Sequence, residues 1–284
     1  MIGVFDSGFG GLTILKSIRK ALPEYDYLYL GDNARTPYGT RSFDVVCEYT
    51  LQAVRYLFSK GCRLVILACN TASAKALRTI QQNYLADMVP ELADSGMPSR
   101  RVLGIIRPTV EAIGTLTQTG HVGVLATQGT VASDSYPIEI HKTQPELVVV
   151  QQACPMWVPL VENGEYDSEG ADYFVEKYLR ELLDKDPQTD TLILACTHYP
   201  LLRHKIEAAL ERLRAAGTRP VRLLEQGEIV AQSLRDYLER HPEIETGCTK
   251  GGTCRYLTTE SEHKFAQSAA IFMGEDIRVE HIEL

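Results

Sequence analysis

Short apolar runs separated by longer helical patterns set the fold class of this chain. Eight runs rich in Val, Ile and Leu recur along it, at residues 2–5, 27–30, 64–68, 102–106, 122–126, 147–150, 192–195 and 221–224. Runs of this kind are typical of strands buried on both faces of a parallel sheet. Helical periodicity fills most of the intervals, as at Leu202, Ile206 and Leu210. The alternation predicts an α/β protein with largely parallel sheets flanked by helices.

One segment shows neither a helical nor a strand pattern and is predicted to mark a change of domain. Residues 88–101 include Pro90, Gly96 and Pro98, which favour a loop or linker. A length of 284 residues also favours two domains. We therefore expect a boundary near residue 97, with residues 1–97 and 208–284 in one domain and residues 98–207 in the other.

The bulk composition argues against several classes of partner. The net charge is −8 and basic residues are not clustered, so we do not expect a nucleic-acid partner. Apolar runs stay below the roughly 18 to 20 residues of a membrane span, and the N-terminus lacks a secretion signal. The seven cysteines are an odd number in a long chain, which is typical of reduced thiols. We expect a cytoplasmic protein without membrane contact.

Two strands end in nearly the same letters and on a cysteine. The sequence LVILAC ends at Cys69, and LILAC ends at Cys196. Polar residues follow each thiol and can begin a helix, including Asn70 in the first copy and Thr197 before Pro200 in the second. The carboxyl ends of parallel strands bind ligands, and a helix N-terminus lowers a thiol pKa. A single such cysteine would more often be inert core, but the duplication favours two reactive thiols.

The N-terminal strand leads into a glycine-rich turn that does not fit a dinucleotide site. A GxGxxG pattern starting at Gly8 requires glycine at position 13, where Thr13 stands. What remains at the strand end is a carboxylate and a hydroxyl, Asp6 and Ser7. Such a turn suits recognition of a small zwitterion, although Asp and Ser are also ordinary helix caps.

Taken together, the motifs resemble those of glutamate racemases over essentially the whole chain. They are Asp6-Ser-Gly-Phe-Gly-Gly-Leu12, Pro37-Tyr-Gly39, Cys69-Asn-Thr-Ala-Ser73, Thr127-x-x-Thr130, Cys154-Pro through Glu162, and Cys196-Thr-His-Tyr-Pro-Leu-Leu202. The stretch from Tyr256 to Gly274 is also similar to the closing strand and helix of that family.

The resemblance implies a fold and an activity. The fold has two pseudo-symmetric domains with the active site in the cleft between them. The activity is interconversion of L- and D-glutamate for peptidoglycan, by two cysteines that act as acid and base. No pyridoxal phosphate, other cofactor or metal is implied. Glutamate is the small-molecule partner, and a homodimer is compatible with the resemblance.

The resemblance also assigns roles to individual residues. Cys69 acts on the α-proton of the D-isomer and Cys196 on that of the L-isomer, with Asp6 and His198 assisting the two thiols. The substrate-holding positions are Asp6, Ser7, Tyr38, Gly39, Asn70, Thr71, Thr197 and His198. Thr127, Thr130 and Glu162 match polar residues of the cleft.

Two short stretches depart from the family pattern, Arg107-Pro-Thr109 and Glu225-Gln-Gly227. A third, from Cys248 to Cys254, is absent from the general pattern. Two cysteines alone are at most half a metal site, so we attach no role to them.

Other functions stay open at this level. The same fold could racemise or isomerise aspartate, a hydantoin or maleate. A two-lobed binding protein could close on an anionic amino acid without turning it over. A racemase that depends on pyridoxal phosphate would need a lysine for a Schiff base, and the sequence singles out none.

Overall fold

A computed structural model describes residues 1–88, 99–213 and 220–284. The chain divides into two compact units. Unit 1 contains Met1–Ile105 and Gly227–Leu284, and unit 2 contains Ile106–Gln226. Both are α/β, as predicted.

Unit 1 is built on a six-stranded sheet in which every pair is parallel. Its strands are β1 (Ile2–Asp6), β2 (Tyr27–Gly31), β3 (Leu64–Leu67), β4 (Arg101–Gly104), β9 (Cys254–Thr258) and β10 (Val279–His281), in the order β10-β9-β2-β1-β3-β4. The three central strands are buried at every residue, as expected of apolar runs covered on both faces.

Helices follow most strands of unit 1. They are α1 (Gly11–Ala21), α2 (Phe43–Ser59), α3 (Asn70–Lys75), α4 (Leu77–Thr79), α5 (Leu85–Met88), α12 (Gln226–Arg240), which begins at the last residue of unit 2, α13 (Pro242–Glu245) and α14 (Glu262–Met273). A π-helical stretch, Ile80–Tyr84, joins α4 to α5. Helix α2 packs on α3, and α1 packs on α14.

Unit 2 has a four-stranded parallel sheet in the order β6-β5-β7-β8. Its strands are β5 (His121–Ala126), β6 (Val148–Ala153), β7 (Thr191–Ala195) and β8 (Arg222–Leu224). Its helices are α6 (Ile106–Ile113), α7 (Gln128–Ala132), α8 (Ser135–Thr143), α9 (Trp157–Glu162), α10 (Glu169–Lys185) and α11 (Arg203–Leu213).

The two sheets share one topology. In unit 1 the order β2-β1-β3-β4 places the first strand between the second and the third, and β6-β5-β7-β8 repeats this in unit 2. The chain thus turns to opposite sides after the first strand of each unit, which creates a topological switch point. In open α/β sheets, ligands bind outside the carboxyl ends of the strands at this point.

The unit boundaries differ from those expected after residues 97 and 207. Residue 97, like Pro90, Gly96 and Pro98 of the expected linker, lies outside the described residues. Strand β4 pairs with β3 and therefore extends unit 1 to Ile105. Position 207 falls within α11, and β8 pairs with β7, so unit 2 continues to Gln226.

No helix in residues 1–88, 99–213 and 220–284 has the combination of length and apolar character that a bilayer crossing requires.

Candidate active site

The predicted site residues of unit 1 meet at its switch point. Asp6 is the last residue of β1, Ser7 follows it, and Cys69 lies two residues beyond the end of β3. The Ser7 hydroxyl lies 3.3 Å from the Cys69 sulfur. Cys69 is only 6 % exposed and Asp6 is fully buried. A polar pair is therefore held in the core at the sheet edge where a ligand is expected.

Glycine is required where α1 begins. A Cβ atom at Gly11 would lie 2.4 Å from the Asp6 Cβ atom. The glycine-rich turn therefore allows α1 to pack directly on the Asp6 side chain. This close approach, rather than a dinucleotide, explains Gly11.

Cys69 itself is the N-cap of α3. Its sulfur accepts a hydrogen bond of 3.4 Å from the Ala72 N–H, whereas the sequence predicts a polar residue after the thiol, such as Asn70, in the capping position. Asn70 and Thr71 instead form the first turn of α3, and both are buried. The thiol is thus hydrogen-bonded at the start of a short helix.

Tyr38 and Gly39 lie in a tight turn after β2. The Arg41 N–H donates to the Tyr38 carbonyl oxygen at 3.1 Å and closes the turn. The Tyr38 hydroxyl donates a short hydrogen bond to the Asp32 carboxylate, which also accepts from Arg35 at 2.7 Å and Thr259 at 2.9 Å. Buried Asp32 thereby fixes the turn to the carboxyl end of β2.

In unit 2, Cys196 follows β7 and belongs to a chain of three side chains. Its sulfur lies 3.8 Å from the Nδ1 atom of His198, and the Nε2 atom of His198 lies 3.1 Å from the Glu162 carboxylate. Burial disfavours the charged imidazole, but the hydrogen bonds to Cys196 and Glu162 outweigh it and raise the pKa of His198 to about 10. This arrangement favours the imidazolium form of His198.

The helix expected directly after Cys196 is a shorter element. Tyr199–Leu202 forms a 3-10 turn with Pro200 at its start, and α11 begins only at Arg203. Proline supports the start of the turn, as predicted, but the α-helix that was expected to act on the thiol is displaced along the chain.

The remaining predicted residues of unit 2 also follow its strands. Thr127 is the N-cap of α7 and accepts from the Thr130 N–H at 3.3 Å. Thr127 follows β5, the strand beside β7, so it shares the switch point of unit 2 with Cys196. Thr197 is buried between Cys196 and His198.

The protein has five further thiols. Burial raises the pKa of Cys47, Cys62, Cys154, Cys248 and Cys254, that of Cys62 to about 12. These thiols stay protonated at neutral pH and are poor nucleophiles.

Two residues of the site region were missed by the sequence analysis. Asp32 lies in the polar turn after the second predicted strand. Its position at the strand end could be read from the sequence, but its hydrogen bond to Tyr38 could not. Lys75 is buried at the end of α3, although lysine in a helix ordinarily indicates an exposed position.

A known protein family matches most of this chain. The family model described as Asp/Glu/Hydantoin racemase matches residues 2–234. The chain belongs to this family. The expectation of an α/β enzyme of the racemase class is thus confirmed.

Members of this racemase family resemble the chain over nearly its full length. A glutamate racemase from Geobacter metallireducens is 37% identical, covering 96% of this chain and 92% of that protein. The crystal structure of a glutamate racemase isoform from Bacillus anthracis has a TM-score of 0.85 at 32% identity, covering 100% of this chain and 97% of that one. The glutamate racemase of Francisella tularensis, crystallised with D-glutamate, has a TM-score of 0.82 at 30% identity and covers 99% and 97%.

Proposed function

We propose that the protein interconverts L- and D-glutamate without a cofactor, with Cys69 and Cys196 as the two acid and base groups. One observation carries the proposal: each unit of a racemase-family fold holds one thiol at its switch point, in contact with a polar partner. Glutamate is favoured as the substrate because the three relatives described above, at 30–37% identity, are glutamate racemases.

Racemisation breaks one C–H bond at the α-carbon and forms another on the opposite face. With D-glutamate, the Cys69 thiolate takes the α-proton and becomes a thiol, and the Cys196 thiol gives its proton to the carbanion and becomes a thiolate. With L-glutamate the two roles reverse. Two positioned groups are needed because a single group cannot serve both faces of a planar carbanion.

The neighbours of the thiols fit these roles. The Ser7 hydroxyl, 3.3 Å from the Cys69 sulfur, can donate to the thiolate. His198, hydrogen-bonded to Glu162, stabilises negative charge on Cys196. Asp6 assists Cys69, and Ser7, Tyr38, Gly39, Asn70, Thr71 and Thr197 hold the substrate. Thr127 and Thr130 add polar groups of the second unit.

The proposed activity implies a metabolic role and a cellular compartment. We propose that it supplies D-glutamate to peptidoglycan synthesis, in the cytoplasm. The seven free cysteines support a reducing compartment.

Deuterium exchange at the α-carbon tests the mechanism. In D2O, the protein should incorporate solvent deuterium into each glutamate enantiomer, and Cys69→Ala or Cys196→Ala should lower racemisation by about 10²- to 10⁴-fold, because an acid or base group is lost from one face. Cys248→Ala is the matched control, since this buried thiol donates to the Ile244 carbonyl oxygen at 3.5 Å and is not part of the proposed site. Full activity in either active-site variant would rule out the two-thiol mechanism.

The same assay separates the alternatives. Faster exchange of aspartate than of glutamate would reassign the substrate. Tight glutamate binding without exchange would indicate a binding protein instead of an enzyme.

A further inference from the structure

Lys75 is a buried cation whose hydrogen bond goes to the main chain. Lys75 is 8 % exposed, and its Nζ atom donates to the Arg41 carbonyl oxygen at 2.6 Å. Burial lowers the pKa of this ammonium group. Buried lysines are ordinarily paired with carboxylates, because the loss of hydration is expensive. Among the described residues Lys75 has no such ion pair, so core packing alone does not explain a lysine here.

The acceptor of this bond belongs to the Tyr38–Arg41 turn. The Arg41 N–H closes the turn on the Tyr38 carbonyl oxygen, and the Arg41 carbonyl oxygen is held by Lys75. Lys75 is the last residue of α3, and Cys69 is the N-cap of the same helix. A single side chain thus joins the helix that begins at the thiol to the turn that carries Gly39.

The other anchors of the turn act on the Tyr38 side chain. Its hydroxyl binds Asp32, and its ring packs on Phe5 and Tyr49 with centroids 6.3 and 5.8 Å away. Gly39 has no side chain and is half-buried. The Lys75 bond holds the main chain at the opposite end of the turn from Tyr38.

We propose that Lys75 is a positioning residue that sets the main chain of the Tyr38–Arg41 turn for glutamate binding. This inference rests on the proposed function, in which Tyr38 and Gly39 hold the substrate. Lys75 acts through the turn and does not touch the substrate.

Replacement of Lys75 by an apolar side chain of similar length tests this role. In Lys75→Met we expect the KM for glutamate to rise about tenfold with kcat nearly unchanged, because a hydrogen bond from a charged donor no longer holds the turn. The melting temperature should not fall, since the variant removes a buried charge. Lys75→Arg keeps a cationic donor, so its KM should lie between that of Lys75→Met and that of the wild type.

Lys16→Met is the matched control. Lys16 makes the same type of bond in the same unit, from its Nζ atom to the Met273 carbonyl oxygen at 3.0 Å, but α1 and α14 carry that contact. The KM of Lys16→Met for glutamate should equal that of the wild type.

The outcomes separate the inference from the proposed function. A folded Lys75→Met with unchanged KM, or with a lower melting temperature and unchanged KM, overturns the positioning role. If Lys75→Met does not fold, Lys75→Gln, which retains a neutral donor, carries the test with an expected intermediate KM, and an unchanged KM there also overturns it. A wild-type protein that does not racemise glutamate overturns the proposed function itself.

Discussion

Among single residues, His198 links the electrostatics of unit 2 to its proposed chemistry. It contacts Cys196 through one ring nitrogen and Glu162 through the other. Because both partners favour the charged ring, the imidazole keeps its proton up to a pH of about 10. We therefore expect His198 to be an imidazolium through the neutral range.

Glu162→Gln tests this coupling. The substitution keeps the shape of the side chain but removes the carboxylate charge, so the pKa of His198 should fall and the imidazole should lose its proton at lower pH. The alkaline limb of kcat/KM should move to lower pH accordingly. Glu165→Gln, at an exposed position on the same segment, is the control and should leave the pH profile unchanged. An alkaline limb that stays in place in Glu162→Gln would contradict the assignment.

The sequence revealed the thiols of the site but not their supporting contacts. Cys69, Cys196 and His198 stand in motifs of adjacent residues, so their pattern is local and readable. The Asp32 bond to Tyr38 depends on the path of the intervening turn. Lys75 was missed because a lysine can extend its apolar stem through a core and place its ammonium group on a distant carbonyl oxygen, which periodicity does not predict.

At the level of elements, one carboxylate organises the connection between α6 and β5. Asp190 accepts from the Thr117 hydroxyl at 2.7 Å, from the Gln118 and Thr119 N–H groups at 2.7 and 2.9 Å, and from the Thr191 hydroxyl at 3.0 Å. Burial opposes its ionisation, but these donors prevail and lower its pKa to about 2. The connection into β5 is thereby fixed beside β7.

Asp190→Asn should destabilise the protein by about 2–3 kcal/mol at neutral pH, because an amide cannot accept from all of these donors. The contribution of Asp190 to the stability of the wild-type protein depends on pH over a defined range. The folded pKa lies below the unfolded value of about 3.9, so the stabilisation is complete above that value and is lost as pH falls towards 2. Urea unfolding at pH 7 and pH 3 measures both effects, with the exposed Asp184→Asn as control. Equal stability of Asp190→Asn and wild type at pH 7 would exclude this role.

The strands were predictable because two buried faces require a nearly continuous apolar run. All eight runs overlap strands of the structure. Strand β10, at Val279–His281, was not predicted, because three residues with one buried side chain leave too weak a pattern. The helix after Cys196 was predicted too early, since capping residues and Pro200 also begin a 3-10 turn.

For the whole molecule, the proposed function predicts a linkage between ligand and stability. Glutamate at about 100 times its dissociation constant should add about 2.7 kcal/mol to the free energy of unfolding, because it binds the folded state only. Calorimetry with D-glutamate, and with L-lysine as the control ligand, measures the shift. A shift of equal size with L-lysine would show that the stabilisation is not specific to an acidic amino acid.

Unit 1 takes its strands from both ends of the chain, and this has a consequence for biosynthesis. Strand β2 receives its neighbour β9 only after the ribosome has passed residue 258, whereas all of Ile106–Gln226 has been synthesised before then. The inserted unit can therefore complete its sheet on the nascent chain while the outer edge of β2 still lacks a partner. Translation speed over residues 227–258 sets how long that edge stays open to chaperones or to pairing with a neighbouring polypeptide.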